Sequence, residues 1–213
     1  MIFLTHKKVR ILALGAASLA LAAGGWISYQ KIFTEGLDRL PAAVCDGSVQ
    51  RDTVIRVLPD SRTAEEGSKA IGKGKGFLFG CYIYADDDSI LSGDVQIEDS
   101  SQSTWEKYYT SYSGKSKEAP ERASSRGIDA LARKEFASVY VPCVPTGREA
   151  DEATQAYALV AEVRVLGESR TTGHDLHQAL SDFAYQLTRH AYELAGCKGS
   201  VDFPDELPRF ENG

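Results

Sequence analysis

"HDLHQALSDFAYQLTRHAYELAGC", residues 174–197, decides how this chain folds. Leu176, Leu180, Phe183, Leu187, Ala191 and Leu194 recur at spacings of three and four, the pattern of a helix with one apolar stripe. Gly196 follows as a natural stop. At 1.5 Å per residue the stripe runs about 28 Å. A surface that long matches the face of a β-sheet, so this helix should be the main element of the core. Phe183 sits mid-stripe. Gln186 points the other way by its 100° steps and should tolerate alanine.

The neighbouring sequence supplies the sheet. "YALVAEVRVLG", residues 157–167, alternates, with Leu159, Ala161, Val163 and Val165 on one side. "FASVYVPC", residues 136–143, reads as a strand, and residues 145–154 as the loop between the two. "GFLFGCYIYA", residues 76–85, is apolar and aromatic on both faces. After a turn at 86–89, "ILSGDVQIE", residues 90–98, turns Leu91, Val95 and Ile97 inward. Residues 46–60 read as a short helix, capped by Ser48, with Val54, Ile55 and Leu58 on one side and Pro59 as its stop. "STWEKYYTSY", residues 103–112, places Trp105, Tyr108 or Tyr109, and Tyr112 on a second helical stripe. The polar segments 60–75 and 113–126 read as loop and linker. The tail, 198–213, with Pro204 and Pro208, reads as draped or disordered.

Each half thus runs cysteine-bearing strand, second strand, helix. The fold class expected is α+β: an antiparallel sheet with helices packed on one face, ordered as two ββα pseudo-repeats. Four cysteines allow three pairings. Cys81 and Cys143 hold matching places in the two halves, Cys45 precedes the first helix and Cys197 follows the last. That symmetry favours Cys45–Cys81 and Cys143–Cys197, each closure worth about 4 kcal/mol by loop entropy.

Residues 11–30 carry no charge and are long enough for a membrane-spanning helix. Lys7, Lys8 and Arg10 make residues 1–10 a basic, cytoplasmic flank. Residues 31–44 become a stalk, and 45–197 an extracytoplasmic domain braced by disulfides. Ala20-Leu21-Ala22 has the small-x-small form of a signal-peptidase site, which would make the product secreted. Trp26, Tyr29 and Lys31 sit where an interfacial belt would, which favours a retained single-pass anchor in the lipid bilayer. Ala16, Ala20, Gly24 and Ser28 give that helix a small-residue face suited to a homodimer. No cysteine precedes Cys45, so no lipid is attached there.

Residues 31–213 hold 21 Lys and Arg against 30 Asp and Glu, a net charge of −9. That balance argues against nucleic acid and against a polybasic grip on anionic lipid.

"VCDGSVQRDTVIRVLPD", residues 44–60, followed by "GFLFGCYIY", residues 76–84, resembles the cysteine–helix–glycine–cysteine–aromatic pattern of actinobacterial exported proteins and lipoproteins of unknown function. "VYVPC", 139–143, with "HAYELAGC", 190–197, is similar to the second half of membrane-anchored members. The match covers residues 40–200 and lacks the membrane-proximal cysteine of the lipoproteins. The resemblance implies an extracytoplasmic α+β domain with two disulfides, and no reaction.

No residue pattern declares a cofactor. "GSKAIGKG", residues 67–74, falls short of a phosphate-binding loop, because Gly74 stands where a Ser or Thr should hold magnesium and the segment precedes a strand. His174 and His177 are weak metal candidates that want a third ligand. Asp86, Asp87 and Asp88 lack calcium-loop spacing and read as turn residues. No G-x-S-x-G occurs, and the one S-x-x-K, Ser28 to Lys31, lies at the membrane edge. Trp105, Tyr108, Tyr109 and Tyr112 are the candidate binding residues, with packing on the sheet as their alternative use.

The function expected is a membrane-tethered binding or accessory protein of the cell envelope, with an envelope protein as partner. The alternative is an envelope hydrolase using carboxylates or a histidine. N-terminal sequencing of membrane-fraction protein is expected to find the uncharged segment intact. A mature chain beginning at Ala23 would overturn the anchor.

Overall fold

The computed structural model describes residues 35–86, 88–111 and 119–210, together with Gly25 and Tyr29. The rest of the anchor segment, Asp87 and Tyr112 lie outside the described residues. Among those described, no helix is long and apolar enough to cross a membrane. In chain order the elements are β1 (Ala43–Val44), β2 (Val49–Gln50), α1 (Arg51–Val57), β3 (Ala64–Ile71), β4 (Leu78–Ala85), β5 (Ile90–Asp99) and α2 (Gln102–Ser111). There follow β6 (Glu121–Ser125), β7 (Ile128–Arg133), β8 (Phe136–Pro142), β9 (Val144–Pro145), β10 (Tyr157–Leu166), α3 (Gly173–Ala195) and β11 (Cys197–Lys198).

Seven strands form one antiparallel sheet in the order β3-β4-β5-β10-β8-β7-β6. Two three-stranded meanders therefore meet on β10, which pairs Ala161 with Val95 on one side and Val139 on the other. The inward residues Phe79, Ile83, Leu91, Val95, Val139, Leu159, Ala161 and Val163 are all buried. Over them lies the predicted stripe of α3 from Leu176 to Ala191, with Leu180, Phe183 and Leu187 fully covered, whereas Leu194, expected to close the stripe, is exposed at the last turn beyond the sheet. Gly93 makes the approach possible, since a Cβ there would stand 2.5 Å from Leu187 Cδ1 and 3.2 Å from Phe183 Cε1. Gly196 ends α3 in the left-handed conformation, φ 62°.

Four expectations are corrected. First, the helices do not share one face. α1 and α3 cover one side, while Trp105 and Tyr109 of α2 pack with Leu131, Tyr140, Ala158 and Val160 on the other. The cause lies in β8 and β10, which carry apolar residues at both parities and need cover on both faces. With its helices on opposite faces and β10 inserted between the meanders, the sheet is not a pair of ββα repeats. Second, residues 64–71 and 121–125 are the two edge strands. They are polar because an edge strand pairs through its backbone on one side and gains solubility from charge on the other. They therefore carry no hydrophobic period. Third, Ser48 does not cap α1: it donates to the Cys45 carbonyl at 2.6 Å. Fourth, Gln186 does not face solvent. It donates to Thr53 Oγ1 at 2.9 Å and accepts the Gln50 N–H at 2.8 Å, so it fixes α1 to α3.

Cys45 pairs with Cys81 and Cys143 with Cys197. The first bond joins the turn before α1 to β4, and the second joins the end of β8 to the end of α3. β9 and β11 pair beside the second bond. The tail is draped and packed: Leu207 and Phe210 are buried, Tyr185 donates to the Pro204 carbonyl, and the Phe210 N–H donates to Gln178 Oε1 at 2.9 Å.

Phe183→Ala is expected to cost about 3–5 kcal/mol, since it empties the centre of the core. Gln186→Ala is expected to cost about 1–2 kcal/mol through its two partly exposed hydrogen bonds. Denaturant titration of both variants checks the ordering. Equal costs would misplace the face of α3.

Candidate functional site

α2 begins where Ser101 accepts the Thr104 N–H at 3.3 Å. The helix then lays Trp105 on β8, with its indole N–H donating to Ser138 Oγ at 2.9 Å. Tyr109 reaches β10 and donates to Glu162 Oε1 at 2.5 Å. Trp105 and Tyr109 are thus held against the sheet, whereas Tyr108 is 50% exposed.

α2 shields only the part of the outer face around β7, β8 and β10. Over β4 and β5 the outward positions stay open. The pleat sends Tyr82 and Tyr84 of β4 outward, 44% and 47% exposed, with ring centroids 5.2 Å apart. Tyr82 lies across Gly67 of β3, its register partner, where a Cβ would meet the phenol oxygen at 2.2 Å. Beside them β5 presents Asp94, Gln96 and Glu98, and β10 presents Glu162 directly opposite Asp94. Arg164 holds the second oxygen of Glu162 at 3.0 Å. Toward one end of the sheet, Tyr109, Leu131, Phe136, Arg164 and Leu166 line an apolar cavity of about 520 Å³. Phe136 stacks on Tyr109 there, with centroids 5.4 Å apart.

The electrostatics of this face follow from partial burial. Desolvation, then the charge of Glu162, raises the Asp94 carboxyl above its ordinary range, while Arg164 pulls it back. Glu98 is raised by desolvation, relieved by the hydrogen bond from Gln96 and raised again by Glu162. Burial, then contact with Glu162, pushes the Tyr109 phenol far up, so it stays a hydrogen-bond donor. The face thus offers carboxylate acceptors beside exposed rings, a surface suited to cationic or hydrogen-bond-donating groups.

The other candidates are dispersed. Residues 67–71 of the phosphate-loop near-match lie in β3, and only a three-residue 3-10 turn, Gly74–Gly76, stands between them and β4. Asp86 accepts the Arg62 and Thr63 N–H groups and the Thr63 hydroxyl, which lowers its carboxyl and marks a turn. His174 and His177 do come together, because both approach Glu121: His174 Nδ1 lies 3.2 Å from one carboxylate oxygen and His177 Nδ1 3.3 Å from the other. Among the described residues no group of three or more His, Cys, Asp or Glu side chains could hold a metal ion.

Sequence reasoning missed Glu121, Asp94, Glu98 and Glu162. Glu121 lay in the segment read as linker. The other three occupy outward positions of strands whose inward alternation was plain, and that same alternation places them on one face.

Comparison with protein-family models, curated proteins and solved structures finds no match to this chain.

Because the Asp94 carboxyl is raised in the fold, its contribution to stability is present below the unfolded carboxylate range and is lost as pH rises through the folded value. Asp94→Asn is therefore expected to raise the urea midpoint at pH 7 and to leave it unchanged near pH 3, where both side chains are neutral. Titrations at the two pH values check the sign.

Proposed function

We propose that this chain is a binding or accessory protein of the cell envelope, tethered through residues 11–30, with its domain outside the cytoplasm. The two disulfides support an oxidising compartment. The observation that carries the binding role is the unequal cover of the sheet. One face is buried under α3. The other leaves Tyr82, Tyr84 and Tyr108 exposed beside Asp94, Glu98 and Glu162. Half-shielded faces with aromatic and charged groups suit recognition by a protein partner, where rings supply contact area and carboxylates supply register. The partner that fits is an envelope protein presenting basic groups.

Photo-crosslinking in intact cells tests this. A photoreactive side chain at Tyr84 or Tyr108 is expected to give a discrete adduct that Glu98→Lys removes. The same probe at Leu194, exposed on α3, is expected to give none. Adducts of equal yield from both faces, or none from the outer face, would overturn the assignment. A self-adduct would make the face a dimer interface.

A further inference from the structure

We propose that the cavity at the end of the outer face binds a single acyl chain carrying an anionic head, the chemistry of a fatty acid or of one chain of an anionic lipid. The cavity holds about 520 Å³, within the range of about 300–1,000 Å³ usual for small-molecule sites. Its floor is built from outward positions of three neighbouring strands: Leu131 and Arg133 of β7, Phe136 of β8, and Arg164 and Leu166 of β10. Tyr109 of α2 closes one side.

The walls are held by their own contacts. Lys134 and Glu135 form the tight turn between β7 and β8, and the Val165 N–H donates to the Glu135 carbonyl at 3.0 Å, so the turn is pinned to β10. Phe136 stacks on Tyr109, and the Arg164 guanidinium lies over the Phe136 ring, 5.3 Å from its centroid. A ligand entering such a site pays little for ordering side chains. Leu166 borders the cavity and is 54% exposed, so apolar surface remains there for a chain of methylene groups to cover.

The charge of the lining selects the head. Arg133, Lys134 and Arg164 line the cavity against one acid, Glu135. Glu162, which pairs with Arg164 from outside the lining, still leaves the cations ahead. Residues 31–213 carry a net charge of −9, so this local excess runs against the domain as a whole. The raised carboxyls Asp94 and Glu98 stand on β5, on the other side of β10 from the β7 and β8 walls. Arginine and lysine beside an apolar cavity suit carboxylate or phosphate oxygens, whereas a cationic head would meet like charge.

The test uses the full chain in lipid nanodiscs and a laurate analogue with a photoreactive diazirine on its chain. Peptide mapping after irradiation is expected to find the adduct within residues 131–136 or 164–167. Unlabelled laurate is expected to suppress it where dodecyltrimethylammonium does not. Leu166→Glu is expected to lower the yield more than about 10-fold, since it sets a carboxylate in the path of chain and head. Lys134→Glu is expected to lower it several-fold, and Leu194→Glu, on α3, to leave it unchanged. All three positions are exposed, and circular dichroism verifies that the variants are folded. In a second arm the photoreactive chain belongs to phosphatidylglycerol of the disc. Cavity adducts in that arm alone make the bilayer the source, and adducts from added laurate make it a free amphiphile. A chain that stays outside the discs refutes the tether, and the laurate arm is then read in solution. No cavity adduct in either arm, equal suppression by the cationic amphiphile, or an unchanged yield in Leu166→Glu overturns the site.

Discussion

β10 cannot be left in water on either side. Its inward residues, Leu159, Ala161 and Val163, and its outward residues, Ala158 and Val160, are all buried. It sits in the middle of the sheet, between two meanders that have no other contact through the ladder. Covering the inward side takes the long stripe of α3, which settles over Gly93 and the neighbouring strands. Covering the outward side takes only α2, because two aromatic side chains suffice for Ala158 and Val160. The asymmetry of the molecule follows from this difference in the amount of surface to be covered. Where the outward residues of β10 become Glu162 and Arg164, cover is no longer required and the face opens.

The elements with apolar period were legible in the sequence: α3, β4, β5, β8 and β10 all stand where their patterns place them. The disulfide pairing was also legible, although the repeat that suggested it is not the organising symmetry. The edge strands were not legible. β3 and β6 bury almost nothing on their outer sides, so pairing, not side-chain burial, fixes them, and backbone hydrogen bonds leave no trace in composition. β7 went unread because it lies between a polar edge and a strand of stronger signal.

The candidate site follows the same rule. Trp105 and Tyr109 announced themselves by helical spacing, yet their first task is to seal the sheet. The exposed rings, Tyr82 and Tyr84, were hidden in a strand that reads as apolar throughout, because tyrosine serves either side of a pleat. Glu121 was hidden for a different reason. Its two histidine neighbours are more than 50 residues away in sequence, and only the antiparallel order of the sheet brings the β6 edge beside the start of α3.

The Cys45–Cys81 bond has a mechanical consequence. Residue 45 is close to the chain's N-terminal side and residue 81 lies within the sheet, in β4. The segment read as a stalk is itself packed, with Leu37, Leu40 and Val44 buried, so tension from the N-terminal side loads that packing first and at Cys45 passes through a covalent link into the ladder. Residues 46–80, including α1 and the edge strand β3, are bypassed by that load. Under the proposed reading, a partner gripping the outer face of β4 and β5 would pull on the same strand that the Cys45–Cys81 bond ties to the N-terminal side of the chain.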